Sequence, residues 1–277
     1  MPIIDAHHHF WRFDASEYGW IGDDMSVLRR DYLPAELDTT LAGTGVAGMI
    51  SVQARASIGE TDFLLEQART IPHVRGVVGW APLANARVGD VLDRFAADPR
   101  FKGVREVTQG QPNGAFFAND DFNRGIREVT RRGLVYDVLV YEDQLPAAIR
   151  FVDAHPAQRF VLDHIGKPVI RRNGLGASWA VHIRHLAERP HVACKWAGVV
   201  TEVREATWDL DLIRPYFEVV WDAFGAERLM FGSDWPVCLL RTTYRDWLDA
   251  VHGLVEPLTA DEREAFFHTN AIRWYRL

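Results

Sequence analysis

Eight short runs rich in β-branched and aliphatic residues recur along the chain, each followed by a longer amphipathic stretch. This alternation constrains the fold more than any other feature. The runs are Ile3–His9, Val46–Gln53, Val74–Trp80, Phe101–Val107, Leu134–Val140, Arg159–His164, His191–Ala197 and Arg228–Asp234. Helical periodicity predicts helices over Pro34–Ala42, Glu60–Thr70, Val88–Ala97, Asn119–Arg132, Asp143–Ala154, Ala177–Glu188 and Leu210–Phe224. Asp246–Leu254 and Thr259–Tyr275 follow the last run. Strands separated by helices pair in parallel through right-handed crossovers. Eight such units predict an α/β fold, the (β/α)8 TIM barrel. An open dinucleotide-binding sheet would want a glycine-rich turn after its first strand, where this chain carries His7-His8-His9-Phe10-Trp11. Pro34 suits a first helical turn, Gly133 a helix end, and Thr259 with Glu262 a capping box.

The 277 residues suit one barrel domain over 1–277, with a long first strand–helix loop at 10–33. A second irregular stretch is Gly166–Gly176. Both follow a strand, which places both at the catalytic face of a barrel. Lys+Arg 31 against Asp+Glu 38 gives a net charge of −7 with no basic cluster, the opposite of what a nucleic-acid partner requires. No apolar run approaches the ~20 residues that span a bilayer. Met1 leads almost directly into a strand, without the leader of a secreted chain. Cys194 and Cys238 make no disulfide framework, so a reducing, cytoplasmic compartment is expected.

The residues able to do chemistry fall at strand ends. Alternation along a strand puts His7 and His9 on one face and His8 on the other. Two imidazoles side by side are half of a metal site, or a pair of donors for a bound carbonyl. Asp234, in Gly232-Ser233-Asp234-Trp235-Pro236, can bind a metal, take a proton from water, or simply cap a helix that starts at Pro236. His164 ends the sixth run and offers a third imidazole or a core histidine bonded to a backbone carbonyl. Glu106 can complete a nitrogen and oxygen ligand set, and Arg105 can hold a carboxylate or carbonyl oxygen; a rim salt bridge accounts for either equally well. Gln53, Tyr136 and Lys195 are polar residues in or beside strands that should be apolar on both faces, and they join Arg105 as candidate substrate contacts. Trp20 belongs to an aromatic series, Phe10, Trp11, Phe13, Tyr18 and Trp20, that either lids a pocket or pins the loop.

These motifs resemble the amidohydrolase superfamily, and more closely its amidohydrolase-2 lactonase branch. The likeness rests on Asp5 to Trp11, Gly103-Val104-Arg105, Asp163 to Pro168, Gly232 to Pro236 and Asn270-Ala271. The Trp20-Ile21 and Arg30 to Pro34 segments look most like L-fuconolactonase-type members. The resemblance implies hydrolysis of a sugar-acid lactone, with His7, His9 and His164 binding a metal or polarising the carbonyl. It implies Asp234 as general base and Arg105 as a holder of substrate oxygen. The fifth run ends without histidine and the fourth without a bridging lysine, which argues against a two-metal site. One divalent ion held by His7, His9, Glu106 and Asp234 is then expected. Zinc suits such ligands, and metal-free operation also occurs in the branch. The same superfamily admits a metal-dependent decarboxylase or a dicarboxylate lactonase. The expected partner is a small molecule, with self-association left open.

Overall fold

The computed structural model describes residues 1–109 and 111–277. The eight expected strands form one sheet in sequence order: β1 (Ile3–His8), β2 (Val46–Val52), β3 (Val74–Gly79), β4 (Phe101–Val107), β5 (Val135–Leu139), β6 (Arg159–Leu162), β7 (Val192–Trp196) and β8 (Leu229–Phe231). Every neighbouring pair is parallel. The helices α1 (Pro34–Leu41), α2 (Ile58–Thr70), α3 (Val88–Ala96), α4 (Asp120–Arg131), α5 (Leu145–Asp153), α6 (Ala177–Ala187), α7 (Leu210–Phe224) and α8 (Tyr244–Val255) supply the crossovers and the outer layer. The sheet curls until β1 meets the segment after β8. There the Asp234 amide donates to the His7 carbonyl and the His9 amide to the Trp235 carbonyl, each at 2.7 Å. This is the (β/α)8 barrel that the alternation predicts.

Local chemistry sets the boundaries. Ser57, Asn119, Asp209 and Thr243 each accept a bond from an amide in the first turn of the helix they precede. Gly133 ends α4 at φ +64°, a conformation that costs a residue with a Cβ. The expected helix over Thr259–Tyr275 begins at its capping box but is not uniform. An α-turn (Ala260–Glu264) passes into a π-turn (Ala265–Thr269) and then a final α-helical segment (Asn270–Tyr275). The π-turn shifts the helical phase, and Phe266, Phe267, Trp274 and Tyr275 are all buried.

Those last aromatics close the barrel floor. Trp274 and Tyr275 pack against inward residues of the strands, among them Ile4, Ile50, Val78, Val161 and Met230. Above this apolar layer lies a charged one. Tyr275 reaches up to donate to Asp137 (2.8 and 2.9 Å to the two oxygens), and Lys195 Nζ binds Asp137 Oδ2 at 2.6 Å. The 10–33 loop is bolted to the opposite end. Trp11 pairs with Tyr32 through both backbone bonds, Phe10, Trp11, Tyr18 and Tyr32 are buried, and the Tyr18 hydroxyl donates to buried Glu60. No helix among the described residues is long and apolar enough to cross a membrane.

Tyr275→Phe keeps the floor's shape and removes one donor from a buried carboxylate. A hydrogen bond to a charged group contributes about 1.5–3 kcal/mol, so the urea midpoint should fall by an equivalent amount. An unchanged midpoint would show that Asp137 does not depend on this hydroxyl.

Candidate active site

The site grows out of strand geometry. In β1 the pairing register with β2 slips between Asp5 and His8, a bulge that turns His7 toward the barrel axis. His8 faces outward, bonded to Ser51 Oγ at 2.9 Å and edge-on to Phe10. His7 and His9 face inward with ring centroids 4.9 Å apart, and His164 stands 4.5 Å from His7. The alternation expected from the sequence holds for all three histidines of the run.

Each inward imidazole is oriented by a fixed partner. His9 Nδ1 lies 2.8 Å from the Val52 carbonyl. A carbonyl only accepts, so Nδ1 carries the proton and Nε2 points at Asp234 Oδ1, 3.2 Å away. His164 Nδ1 likewise donates to the Ala197 carbonyl at 3.1 Å, leaving Nε2 as a lone pair. Burial pushes the His164 pKa down to about 4, so the ring is neutral at pH 7. His7 Nε2 lies 3.2 Å from Arg105 Nη1, and its Nδ1 lies 3.2 Å from Lys195 Nζ and 3.3 Å from Asp163 Oδ1. Burial also holds His7 well below the ordinary histidine range.

Asp234 sits at the centre. Its Oδ1 lies 3.2 Å from His9 Nε2 and 3.7 Å from His7 Nε2. Burial acts to raise its pKa, and pairing with the His164, His9 and His7 imidazoles, strongest when one of them carries a proton, acts to lower it below the usual carboxylate range. Asp234 and His164 both adopt left-handed backbone, φ +58° and +53°. Such conformations cost on the order of 1–3 kcal/mol each and cluster at functional positions. Gly198 makes room for both side chains. A Cβ there would lie 2.5 Å from His164 Nδ1 and 2.7 Å from Asp234 Oδ2. Asp234 accepts Cys238 N at its backbone oxygen, while its carboxylate faces the imidazoles and caps nothing.

Below these groups lies a buried ionic scaffold. Arg105 Nη1 donates to Asp163 Oδ2 at 2.9 Å, and its Nη2 contacts the Gln53 carbonyl and Gln53 Oε1. Lys195 Nζ bridges Asp137 and Asp163 at 2.6 and 3.0 Å and lies 3.2 Å from His7 Nδ1. Burial works against an ionised Asp163, yet Lys195, His7 and Arg105 together hold it well below its ordinary value.

Of the residues singled out in the sequence, His9, His164, Asp234, Arg105 and Trp20 line one cavity of about 340 Å³ at the C-terminal ends of the strands. His7 stands directly behind them. Four candidates lie elsewhere, and their placement corrects the expectation. Glu106 follows Arg105 on the opposite face of β4 and accepts the Trp80 indole N–H at 2.8 Å, away from the histidines, so it does not join their ligand set. Tyr136 points into the helical layer among Phe122, Phe151 and Phe160. Gln53 and Lys195 face inward but are buried beneath the cavity as supports for Arg105 and His7. Trp20, 42% exposed, is the aromatic of the long loop left free at the mouth. Asp163 belongs to the Asp163 to Pro168 motif, which by itself assigns it no role. A carboxylate directly after a strand apolar on both faces must be paired, and that is the signal the sequence carries. Lys167, Glu202 and Arg204 also line the cavity, and no local pattern marks them.

The donor set can accommodate a cation. The ligand atoms of His7, His9 and Asp234 lie within 4.8 Å of one another. His9 Nε2 and Asp234 Oδ1 face each other as acceptors, an arrangement relieved only by positive charge between them, whether a proton or a metal ion.

Comparison with known proteins agrees with this geometry. A family model described as Amidohydrolase (Amidohydro_2) matches residues 4–277. An L-fucono-1,5-lactonase of Burkholderia multivorans is 41% identical over 287 residues, covering 99% of this chain and 96% of its own. An L-fucono-1,5-lactonase of Burkholderia ambifaria is 34% identical, covering 99% and 95%. A crystal structure of a Burkholderia multivorans amidohydrolase with bound zinc superposes at a TM-score of 0.94 and 40% identity, with 100% of each chain covered.

The fully buried His8 yields a pH prediction. Burial, aided by neighbouring His9, pushes its pKa from 6.5 down to about 3. Between those values the unfolded chain binds a proton that the folded chain refuses, so stability falls as pH falls, by up to about 5 kcal/mol. His8→Gln should flatten the stability–pH curve in that window by nearly one proton. A variant curve parallel to the wild-type curve would contradict the assignment.

Proposed function

The chain belongs to the Amidohydro_2 amidohydrolase family, and from that premise we propose that it hydrolyses the ring ester of a sugar-acid lactone, of the L-fucono-1,5-lactone type, to the free acid. The observation that carries the reading is the convergence of Asp234, His9, His164 and Arg105 on one cavity, in a chain 41% identical to an L-fucono-1,5-lactonase over nearly its whole length. At about 340 Å³ the cavity lies near the small end of ligand pockets, roughly 300–1,000 Å³, a size suited to a single sugar ring.

The chemistry follows from protonation states. A lactone carbonyl is weakly electrophilic, so the site must favour the oxyanion and supply hydroxide. Asp234, ionised and buried, takes a proton from water as the water oxygen bonds to the carbonyl carbon. Negative charge then develops on the carbonyl oxygen. Arg105, held in place by Asp163 and Gln53, directs its guanidinium into the same space and favours that charge. As the ring C–O bond breaks, Asp234 returns its proton to the departing alkoxide. The product is a hydroxy acid, which releases one proton at neutral pH. His9 and His164, each fixed through Nδ1 to a backbone carbonyl, keep their Nε2 atoms aimed at the reacting centre. The residues that would hold a divalent metal are His7, His9 and Asp234, with zinc fitting nitrogen and carboxylate donors. When bound, such an ion polarises the carbonyl and acidifies water.

With Asp234→Asn, turnover of an aldonolactone should fall by roughly 10²–10⁴, the usual range for a lost general base, while circular dichroism stays unchanged. A pH-indicator assay with a parallel carbon dioxide measurement reads this directly. Proton release without carbon dioxide is expected, and a variant retaining most of its activity would refute the role. Metal analysis should find about one divalent ion per wild-type chain and much less in His9→Ala, consistent with losing a ligand. Full activity after exhaustive chelation would place catalysis on the protein groups alone.

A further inference from the structure

Three charged residues line the cavity without a part in this mechanism: Lys167, Glu202 and Arg204. Glu202 is 6% exposed and is gripped from both sides. Its Oε1 lies 3.1 Å from Lys167 Nζ, and its Oε2 accepts from Arg204 Nη2 at 3.3 Å. The backbone is equally fixed. Ile170 N donates to the Glu202 carbonyl and Arg204 N to the Ile170 carbonyl, fastening the segment after β7 to the loop after β6. Lys167 follows His164 by three residues in left-handed backbone (φ +45°), tied by its amide to the His164 carbonyl. The pair is therefore built into the same turn that positions His164.

We infer that Glu202, paired with Lys167, is a specificity-determining residue that makes the cavity accept a neutral, polyhydroxylated lactone and reject one bearing a carboxylate; this rests on the lactonase reading above. The argument is one of committed charge. Recognition of a substrate carboxylate needs a free cation, ideally an arginine fork. Here Arg105 is held by Asp163 and Gln53 at the reacting carbonyl, and Lys167 and Arg204 both contact Glu202. Arg105, Lys167 and Arg204 are matched one for one by Asp163, Glu202 and Asp234, so an incoming anion finds no net positive charge and meets two carboxylates. A vicinal diol suits the pair instead, because one hydroxyl donates to the Glu202 carboxylate while another accepts from the Lys167 ammonium. Much of the remaining lining is apolar, with Met25, Val107, Leu139, Val237 and Leu240 offering no further charge.

The test is steady-state kinetics of wild type, Glu202→Gln and Lys167→Met on two substrates: a neutral aldono-1,5-lactone and a carboxylate-bearing aldarolactone. For Glu202→Gln the neutral substrate's KM should rise about 10-fold or more with kcat changed less than about 3-fold, and the preference for neutral over anionic lactone should fall by roughly 100-fold. Lys167→Met keeps the carboxylate and removes a cation, so it should also bind the neutral ring more weakly yet keep or sharpen its rejection of the anion. The inference is overturned if a folded Glu202→Gln leaves the neutral-to-anionic ratio within 3-fold of wild type. It is equally overturned if Lys167→Met lowers that ratio, a readout that stands even where Glu202→Gln fails to fold. A wild-type enzyme that prefers the anionic lactone would remove this inference and leave the lactonase reading intact. Hydrolysis of neither lactone would remove both.

Discussion

Two backbone hydrogen bonds hold the site in being. They join the His7 carbonyl to the Asp234 amide and the His9 amide to the Trp235 carbonyl, where the last strand's continuation meets the first. Without that closure the histidines of β1 and the aspartate after β8 belong to opposite edges of a sheet. With it, a carboxylate and an imidazole more than two hundred residues apart stand 3.2 Å from each other. Asp5 reinforces the junction from behind by accepting the amides of both His7 and Ser233 and the Tyr244 hydroxyl. Burial pushes the Asp5 pKa up to about 6 against those three donors, a balance that ties the charge of this buried carboxyl to the joint itself.

The charged layer beneath the histidines illustrates how a barrel tolerates ions in its core. Arg105 and Lys195 carry two positive charges, Asp137 and Asp163 two negative ones, and the contacts between them run from 2.6 to 3.0 Å. Desolvating four ions is expensive, and a network of this kind holds only when every member is paired; removing one partner typically costs 3–5 kcal/mol. Its return is orientation. His7 contacts Arg105, Lys195 and Asp163, so its ring is oriented by groups that cannot themselves move without breaking an ion pair. The C-terminal Tyr275, donating to Asp137, makes the last turn of the chain part of this scaffold.

At the mouth the division of labour changes. Asp234 and His164 sit on strained backbone after their strands, whereas much of the wall comes from the connecting loops. The aromatics of the 10–33 loop show both uses of such a segment. Phe10, Trp11, Tyr18 and Tyr32 are spent on anchoring it, and Trp20 is left at the cavity. Loops anchored this firmly can present residues such as Glu202 with the same rigidity as a strand.

The barrel was legible in the sequence because eight hydrophobic runs separated by helical periods leave few other ways to bury a sheet on both faces. That His7 and His9 share a face was legible from alternation, and His164 and Asp234 from their places at strand ends; that the shared face is the inward one follows from the bulge in β1. What alternation could not decide was which face of β4 and β5 looks inward. That choice sent Arg105 to the cavity, Glu106 to the Trp80 indole and Tyr136 into the helical layer. Nor could local pattern separate residues that touch ligand from those that brace them, as with Gln53 and Lys195, or find the Lys167, Glu202 and Arg204 cluster. Periodicity is a property of neighbours along the chain and is written residue by residue. Which charge meets which across the barrel depends on the register and twist of strands far apart in sequence, and those exist only once the sheet has closed.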